Sequence, residues 1–198
     1  KGNQLDSDDT TRYVIDINAG GAAIIGNTIK NSFFGIDIGS VNCRVIGNYL
    51  ALDHGAGEIG IRIGANSNVV SNNHIFDCDY GIQINGSYNV VTGNHTNLAL
   101  WGIVQTTHTH QGNVVCDNNI FAYGSVANED GIYIAGDFNS VCNNSINGIT
   151  AGAGVPLRIA AATAVKNTVC GNTSSDGVAM VDAGTGTLPA GIAGFNTW

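Results

Sequence analysis

The chain has 198 residues, only 11% of them charged, and a formal net charge of −8 at pH 7. This length predicts a single domain, and the acidic balance argues against a nucleic-acid-binding protein, which needs a basic surface. No apolar run is long enough to span a membrane, so membrane insertion is not expected.

The chain divides into three parts by pattern. Residues 1–11 are polar and carry no hydrophobic period, and we expect them to be a lead-in cut from a larger protein. Two short motifs alternate from residue 12 to residue 184, and residues 185–198 follow as a C-terminal tail. Abundant glycine (28 residues) and scarce proline (2 residues) suit a chain of short strands and turns.

The first motif is an asparagine three residues after an apolar residue, at Asn27, Asn48, Asn73, Asn94, Asn118, Asn144 and Asn172. The second is a glycine followed by apolar-x-apolar, as in GIDI, GIRI, GIQI, GIVQ and GIYI, which begin at Gly35, Gly60, Gly81, Gly102 and Gly131. The motifs alternate with a basic repeat of about 21 residues, which insertions lengthen.

A unit of this length without a helical period predicts a coil of strands and turns, stacked at the strand spacing of about 4.8 Å. Each turn asparagine is then expected to bond the backbone and the asparagine of the next coil. A second series should do the same: Asn68, Asn89, Asn113, Asn139 and Asn167. The predicted core has two stacks, namely Ile24, Val45, Val70, Val91, Val115, Val141, Val169 and Ile36, Ile61, Ile82, Ile103, Ile132, Leu157, Val178.

These motifs resemble those of the parallel β-helix repeat family, to which pectate-lyase-like and NosD-like repeats belong. The resemblance covers roughly residues 12–184 and implies an all-β fold, a single-stranded right-handed parallel β-helix (solenoid) of about seven to eight coils. The family includes pectate lyases, polysaccharide epimerases, phage tailspike depolymerases and non-catalytic fibres and adhesins. The fold alone therefore does not choose among these functions.

Three of the five cysteines, Cys116, Cys142 and Cys170, share one repeat position. We expect a ladder of free thiols there, because parallel Cβ vectors at the strand spacing disfavour a disulfide. Free thiols favour assembly in a reducing cytoplasm, and hence a virion protein over a secreted one. No metal site is predicted, since a straight ladder does not make a tetrahedron.

An apolar strip is predicted on the outside of the coil. Strand alternation turns the neighbours of the core valines outward, among them Val69, Val90 and Val114. An apolar strip of this kind is expected to be buried against another surface, and the subunit interface of a homotrimer like that of tailspike-like β-helices would bury it. The alternative is that a bend at the turn brings part of the strip into the core.

Two long loops flank two minimal coils, and the trough between them is the predicted ligand site. Segments 48–60 and 118–131 are extended between asparagine and glycine, whereas 73–81 and 94–102 are minimal. Loops carry function more often than the scaffold beneath them. The floor of the trough holds Asp77, Asp79, Tyr80 and Trp101, and its walls hold Asp53, His54, Glu58, Glu129 and Asp130.

The trough residues have the chemistry of a glycan site. Tyr80 and Trp101 both precede a motif glycine, so they lie on adjacent coils and can stack on sugar rings. Glu58 and Asp79 both lie two residues before that glycine, and carboxyl groups about 5 Å apart form the pair of a retaining glycosidase. Glu58 and Asp79 are therefore the candidate catalytic residues, and the other trough residues are candidates for substrate binding. The simpler alternative is that these acids and aromatics only shape turns.

Two further rows of outward-facing side chains are predicted at equivalent positions of successive coils. His74 and His95 occupy equivalent positions on adjacent coils, and Asp16, Asp37 and Arg62 align at the outward x of the glycine motif as a charged strip. Lyases and epimerases of the family often use calcium, but their catalytic motifs cannot be matched to this chain. No cofactor is predicted, and calcium is the one alternative left open.

The sequence thus predicts a phage tailspike-like β-helix protein that binds and cleaves a surface polysaccharide, on a virion or at an extracellular surface. Two alternatives stay open. One is a non-catalytic virion fibre, decoration protein or adhesin, and the other is a secreted polysaccharide lyase or epimerase. The trough acids favour the first function over a fibre, and the thiol ladder favours it over a secreted enzyme.

Overall fold

A computed structural model of the chain describes residues 2–6, 12–53, 57–98, 100–124, 130–149, 154–160, 164–175, 181–182 and 188–189. These residues form strands and turns only. No helix among them is long and apolar enough to cross a membrane.

The strands form three parallel sheets, which we name A, B and C, and each coil adds one strand to each sheet in that order. Sheet A contains Gln4–Asp6, Thr28–Lys30, Tyr49–Ala51, His74–Phe76, His95–Leu98, Asn119–Gly124 and Ser145–Ile149. Sheet B contains Tyr13–Ile17, Phe34–Ile38, Ile59–Ile63, Tyr80–Ile84, Trp101–Gln105, Ile132–Ile134, Leu157–Ile159 and Val181–Asp182. Sheet C contains Ala23–Ile25, Arg44–Ile46, Val69–Ser71, Val90–Thr92, Val114–Cys116, Ser140–Cys142, Thr168–Cys170 and Leu188–Pro189.

This architecture confirms the predicted all-β parallel solenoid. The shortest turns contain 21 residues, as between Asn27 and Asn48, and insertions lengthen others to 28 residues, as between Asn144 and Asn172. The average is therefore about 24 residues per turn. At both ends, pairing continues beyond the predicted limits of 12 and 184, because Gln4–Asp6 pairs with Thr28–Lys30 and Leu188–Pro189 with Thr168 and Val169.

The predicted asparagine ladder runs through the turn between sheets C and A. Asn73 Nδ2 and the Asn73 backbone N–H both donate to Asn94 Oδ1, each at 3.0 Å, and Asn94 repeats this pattern towards Asn118 at 3.0 Å. The residue before each ladder asparagine has a positive φ, between 55° and 65°. Each of these residues is Gly, Asn or Asp, the types that tolerate this backbone region best. The positions are Gly26, Gly47, Asn72, Gly93, Asp117, Asn143 and Gly171.

The second asparagine series forms its own ladder between sheets B and C. The backbone N–H of each member donates to the side-chain oxygen of the next, as from Asn68 to Asn89 and from Asn89 to Asn113, both at 2.8 Å. All five members are buried. Buried side-chain oxygens that accept backbone N–H groups of the neighbouring coil in this way hold the coils in register without charge.

The core fills the space between the three sheets. The predicted stacks are buried from Val45 to Val169 and from Ile36 to Leu157, whereas Ile24 is partly buried. Val178 lies outside the described residues. A third stack from sheet A was not predicted, and it consists of Ile29, Leu50, Ile75, Ile120 and Ile146, with buried Thr96 in the remaining place.

The cysteine ladder is present, but the prediction of free thiols is wrong for two of its members. Cys116 pairs in register with Cys142, and Cys142 with Cys170. Cys142 and Cys170 form a disulfide with a Cα–Cα distance of 4.6 Å. The Cα–Cα distance between neighbouring strands thus lies at the short end of the range of Cα–Cα distances found in disulfides. Cys43, Cys78 and Cys116 are free.

The outer face of sheet C carries the predicted apolar strip. Val69, Val90 and Val114 are half-buried register partners on three successive coils, while Val70, Val91 and Val115 between them point into the core. These three valines are therefore on the outside, as the alternation predicts.

Candidate functional site

The outer face of sheet B carries two rows of side chains suited to ligand contact. The first row is in register from coil to coil and contains Tyr13, Phe34, Ile59, Tyr80 and Trp101. The second row lies three residues further along each strand and contains Asp16, Asp37, Arg62, Gln83, Val104, Tyr133 and Arg158. Side chains of the second row alternate with buried core residues along each strand and therefore point outward, and the side chains of the first row are all half-buried.

Aromatic rings meet at the centre of this face. Tyr80 and Trp101 lie nearly parallel, with an angle of 10° between ring planes and 6.5 Å between centroids. Trp101 meets Tyr133 edge-on, with 90° between planes and 5.5 Å between centroids. All three rings are half-buried, so each keeps surface that a ligand can contact.

A depression of about 400 Å³ opens beside Trp101 and is lined by Trp101, Thr106, Asp130, Tyr133 and Arg158. One side of it is a fixed ion pair. Arg158 Nε donates to Asp130 Oδ2 at 2.6 Å, and Arg158 Nη2 donates to Asp130 Oδ1 at 3.1 Å. The hydrogen bond with Asp130 raises the pKa of Arg158, which stays charged. The depression therefore combines aromatic surface, a hydroxyl group and an oriented guanidinium.

A second depression, of about 800 Å³, lies on the same face nearer the N-terminus, and its charged and aromatic lining residues are Arg12, Tyr13, Asp16, Phe34, Asp37 and Arg62. Arg62 Nε donates to Asp37 Oδ1 at 2.8 Å, so two members of the predicted charged strip form an ion pair. The Arg62 guanidinium also lies 5.0 Å from the centre of the Tyr13 ring. Burial raises the pKa of Tyr13 to about 12, against the opposing effect of Arg62.

The predicted catalytic pair lies between the two depressions but beneath the surface. Glu58 and Asp79 are on adjacent coils, since the N–H of Tyr80 donates to the Glu58 carbonyl at 2.9 Å and Tyr80 pairs with Ile59. Glu58 is fully buried, and Asp79 is 9% exposed with its Oδ2 accepting the Gly57 N–H. Neither residue lines either depression.

A buried thiol shares this position with the two acids. Cys78 is fully buried and directed towards the Tyr80 carbonyl, at 3.4 Å. Burial raises the pKa of Cys78, and the nearby Glu58 carboxylate raises it further. The thiol is therefore protonated at neutral pH and serves the interior packing.

The other predicted trough residues separate into three groups. Trp101 and Asp130 line the same depression, although Asp130 is buried in its ion pair with Arg158 instead of standing on a wall. Asp53 and Asp77 are exposed in the turns between sheets A and B. His54 and Glu129 lie outside the described residues.

The sequence reasoning missed Tyr133 and Arg158, which complete the depression around Trp101. A signal for both was available, since Tyr133 occupies the outward x of the glycine motif GIYI, and Arg158 the same place in PLRI, where Pro156 replaces the glycine. That position is the one shared by Asp16, Asp37 and Arg62, so extending the charged strip along the helix would have found them.

A separate cluster lies on the outer face of sheet A. His74 and His95 are register partners with ring centroids 5.5 Å apart, and the Phe76 ring lies 5.8 Å from His95 and 5.3 Å from Tyr49. Burial lowers the pKa of His95, and repulsion from His74 lowers it further. The predicted histidine alignment is thus present, on a different face from the two depressions.

Comparison with known protein families gives a match for most of the chain. A protein-family model described as "Periplasmic copper-binding protein (NosD)" matches residues 1–186. No curated protein matches the chain.

The description of this family raises the question of copper. Copper prefers thiolate, thioether and imidazole ligands. Among the residues that the structure describes, no three His, Cys, Asp or Glu side chains are grouped so that they could hold a metal ion. His74 and His95 offer only two imidazoles, and the disulfide takes up two of the three ladder sulfurs. With the disulfide closed, these residues do not fit a copper site.

Proposed function

The chain belongs to the NosD family, and from this premise we propose that it is an extracytoplasmic β-helix protein that binds an oligosaccharide along the outer face of sheet B. The observation that carries the proposal is the depression beside Trp101. There, two aromatic rings, the Thr106 hydroxyl and the Asp130–Arg158 ion pair converge on one cavity of about 400 Å³.

The chemistry of this cavity matches that of a sugar ring. A pyranose has apolar faces that pack on aromatic rings and hydroxyl groups that bond fixed polar groups. Arg158 is held by Asp130, so its remaining donors are oriented before a ligand arrives. Such preorganisation lowers the ordering cost of binding.

The shape of the face suits a chain of sugars more than a single one. The Trp101 depression and the Arg62 depression lie on the same face, and Tyr80 and Gln83 lie between them. The oligosaccharide should be neutral or weakly charged. Arg62 and Arg158 are neutralised by Asp37 and Asp130, and the net charge of −8 repels polyanions.

A location outside the cytoplasm is supported by two observations. The Cys142–Cys170 disulfide is typical of an oxidising compartment, and the matching family is described as periplasmic. The virion location rested on free thiols in the ladder, and the disulfide removes two of the three.

Cleavage of the bound glycan is the second candidate function. It is favoured by the placement of Glu58 and Asp79 on adjacent coils next to Tyr80. Burial of both carboxyl groups works against it, since a catalytic acid must reach the glycosidic oxygen. The proposal therefore commits to binding, and cleavage is tested as an addition to it.

The experiment is a glycan-array screen of the intact protein, followed by calorimetry on each hit and an assay for released reducing ends. Binding to a neutral or weakly acidic oligosaccharide supports the proposal. Absence of any binding oligosaccharide would overturn it. Release of reducing ends from a hit would add the second function to the first.

A further inference from the structure

The side chains around the Trp101 depression are mainly hydrogen-bond donors. Trp101 offers only an indole N–H, and Arg158 offers only guanidinium N–H groups. The hydroxyl groups of Thr106 and Tyr133 can donate as well as accept. The remaining lining residue, Asp130, carries a carboxylate, so the character of the site depends on whether that carboxylate can bond a ligand.

The carboxylate of Asp130 is not open to a ligand. Its side chain is completely buried, whereas the side chain of Arg158 is 30% exposed. Asp130 Oδ1 accepts the Val155 N–H at 2.9 Å and Arg158 Nη2 at 3.1 Å, and Oδ2 accepts Arg158 Nε at 2.6 Å. The side-chain acceptors left around the depression are therefore its two hydroxyl groups.

Arg158 presents oriented donors to the same space. A guanidinium has five N–H donors, and Arg158 uses two of them on Asp130, which leaves three for other partners. Because the bond with Asp130 fixes the plane of the guanidinium, the remaining donors have a set direction before a ligand arrives. A ligand that fits this site brings an acceptor to Arg158 and few donors of its own.

This balance selects among the groups that sugars carry. A hydroxyl group accepts from Arg158, but it also brings a donor into a site that is poor in acceptors. The carbonyl of an acetamido group only accepts, the adjoining methyl group packs on aromatic rings, and the single N–H suits a hydroxyl oxygen. A protonated amino group fits least, because it meets the positive charge of Arg158 without an exposed carboxylate beside it.

We infer that the Trp101 depression binds an N-acetylated sugar by its acetamido group, with the carbonyl oxygen on Arg158 and the methyl group against Trp101 and Tyr133. This inference rests on the proposed oligosaccharide binding and adds the class of sugar to it. The cavity of about 400 Å³ suits one sugar residue with its substituent, since ligand pockets measure about 300–1,000 Å³. An acetamido group is also neutral, as the net charge of −8 favours.

The Arg62 depression lacks this preference for acceptors. Arg62 is held by Asp37 there, as Arg158 is held by Asp130. However, Asp16 also lines the Arg62 depression, and it is exposed. Its carboxylate accepts bonds from sugar hydroxyl groups. The acetamido group therefore belongs at the Trp101 end of the face, and a sugar with hydroxyl groups suits the other end.

The test uses three trisaccharides with one β-1,4-linked backbone that differ in the group at carbon 2. Triacetylchitotriose carries acetamido groups, cellotriose carries hydroxyl groups, and chitotriose in mildly acidic buffer carries protonated amino groups. Isothermal titration calorimetry on the intact protein measures the three affinities. Triacetylchitotriose should bind at least about tenfold more tightly than cellotriose, as expected for a hydrogen bond gained by a charged group, and chitotriose should bind most weakly.

One variant tests the role of Arg158, and a second serves as its control. Arg158→Lys keeps a positive charge beside Asp130 but loses the planar set of donors, so the preference for triacetylchitotriose over cellotriose should be lost. Arg44→Lys is the same substitution at an exposed arginine of sheet C. It should change neither the affinity nor the preference. The comparison of trisaccharides on the wild type does not depend on the folding of a variant.

The outcomes separate this inference from the function on which it rests. Every glycan-array hit should contain an N-acetylated sugar. Equal affinity for triacetylchitotriose and cellotriose, an unchanged preference in Arg158→Lys, or array hits without N-acetylated sugars would overturn the acetamido assignment while oligosaccharide binding is retained. Failure to bind any of the trisaccharides and any glycan on the array would overturn the proposed function itself.

Discussion

The indole of Trp101 meets the ring of Tyr133 edge-on at 5.5 Å, and together they form one wall of the depression that also contains Arg158. Replacing Trp101 with alanine removes the larger of the two rings. We expect Trp101→Ala to weaken oligosaccharide binding by about 1 kcal/mol or more, which is roughly fivefold in Kd. Isothermal titration calorimetry with an oligosaccharide that binds the wild type measures this change.

Tyr49→Ala is the control for that variant. Tyr49 is an aromatic residue with 40% of its surface exposed, but it lies on sheet A. Its loss should leave the affinity unchanged. An equal loss of affinity in both variants would indicate a general effect on the fold instead of a contact with the ligand.

The amide variants Glu58→Gln and Asp79→Asn separate binding from cleavage. Neither carboxyl group lines a depression, so both variants should bind the oligosaccharide about as well as the wild type. If the pair is catalytic, each variant should cut turnover by about a hundredfold or more, as the loss of a general acid or base does. A wild type that releases no reducing ends, with both variants still binding, would leave binding as the only function.

Much of the fold could be predicted because each motif residue recurs at the same structural position in successive coils. The ladder asparagines, from Asn27 to Asn172, recur before strands of sheet A. Each buried amide bonds the equivalent asparagine of the next coil, and few other residue types could do this. The third core stack was missed because its residues, such as Ile29 and Leu50, follow the asparagine at an interval that the two chosen motifs do not include.

The site was predicted less completely, for two physical reasons. Equivalent positions in the repeat correctly predicted that Tyr80 neighbours Trp101 and that Glu58 neighbours Asp79 on adjacent coils. The burial of each side chain, however, depends on the conformation of the turn that contains it. Glu58 was expected on a wall and is fully buried. The partner of Asp130 is Arg158, which is 28 residues away, and the insertions between coils obscure that pairing in a fixed 21-residue frame.

The asparagine ladder should be a principal source of stability. Asn94 accepts the N–H and the amide of Asn73 and donates to Asn118 and to the Val70 carbonyl. Asn94→Ala leaves these buried groups without their bonds and should lower the free energy of unfolding by about 3 kcal/mol. Urea denaturation measures it, with Asn97→Ala on the adjacent strand as control. Equal stability of the two variants would contradict a structural role for the ladder.

The histidine pair on sheet A should respond to acid. Burial, and then the neighbouring His74, lower the pKa of His95 below its usual 6.5. The folded protein thus favours neutral His95, and its contribution to stability is present above pH 6.5 and is lost as the pH falls. An NMR titration of the His95 ring should give a midpoint below 6.5, which His74→Asn moves upward. A midpoint above 6.5 would show that an unrecognised partner stabilises the imidazolium.

The apolar strip on sheet C should be the contact surface of a homotrimer. Val69, Val90 and Val114 are half-buried in the single chain and form a continuous row. Val90→Asp places a charge at the centre of this row and should convert a trimer to a monomer without unfolding the chain, because position 90 faces outward. Sedimentation velocity distinguishes the two states. A wild type that sediments as a monomer would remove the proposed interface.

The central claim is that sugars bind on the outer face of sheet B, and footprinting locates the bound ligand most directly. The protein is oxidised briefly by hydroxyl radicals with and without a saturating oligosaccharide, and mass spectrometry measures the oxidation of each aromatic residue. The account predicts that the ligand protects Trp101 and Tyr133, while Tyr49 and Phe76 on sheet A and Tyr88 in the turn before sheet C react as before. Protection of the sheet A residues, with Trp101 and Tyr133 unchanged, would contradict it.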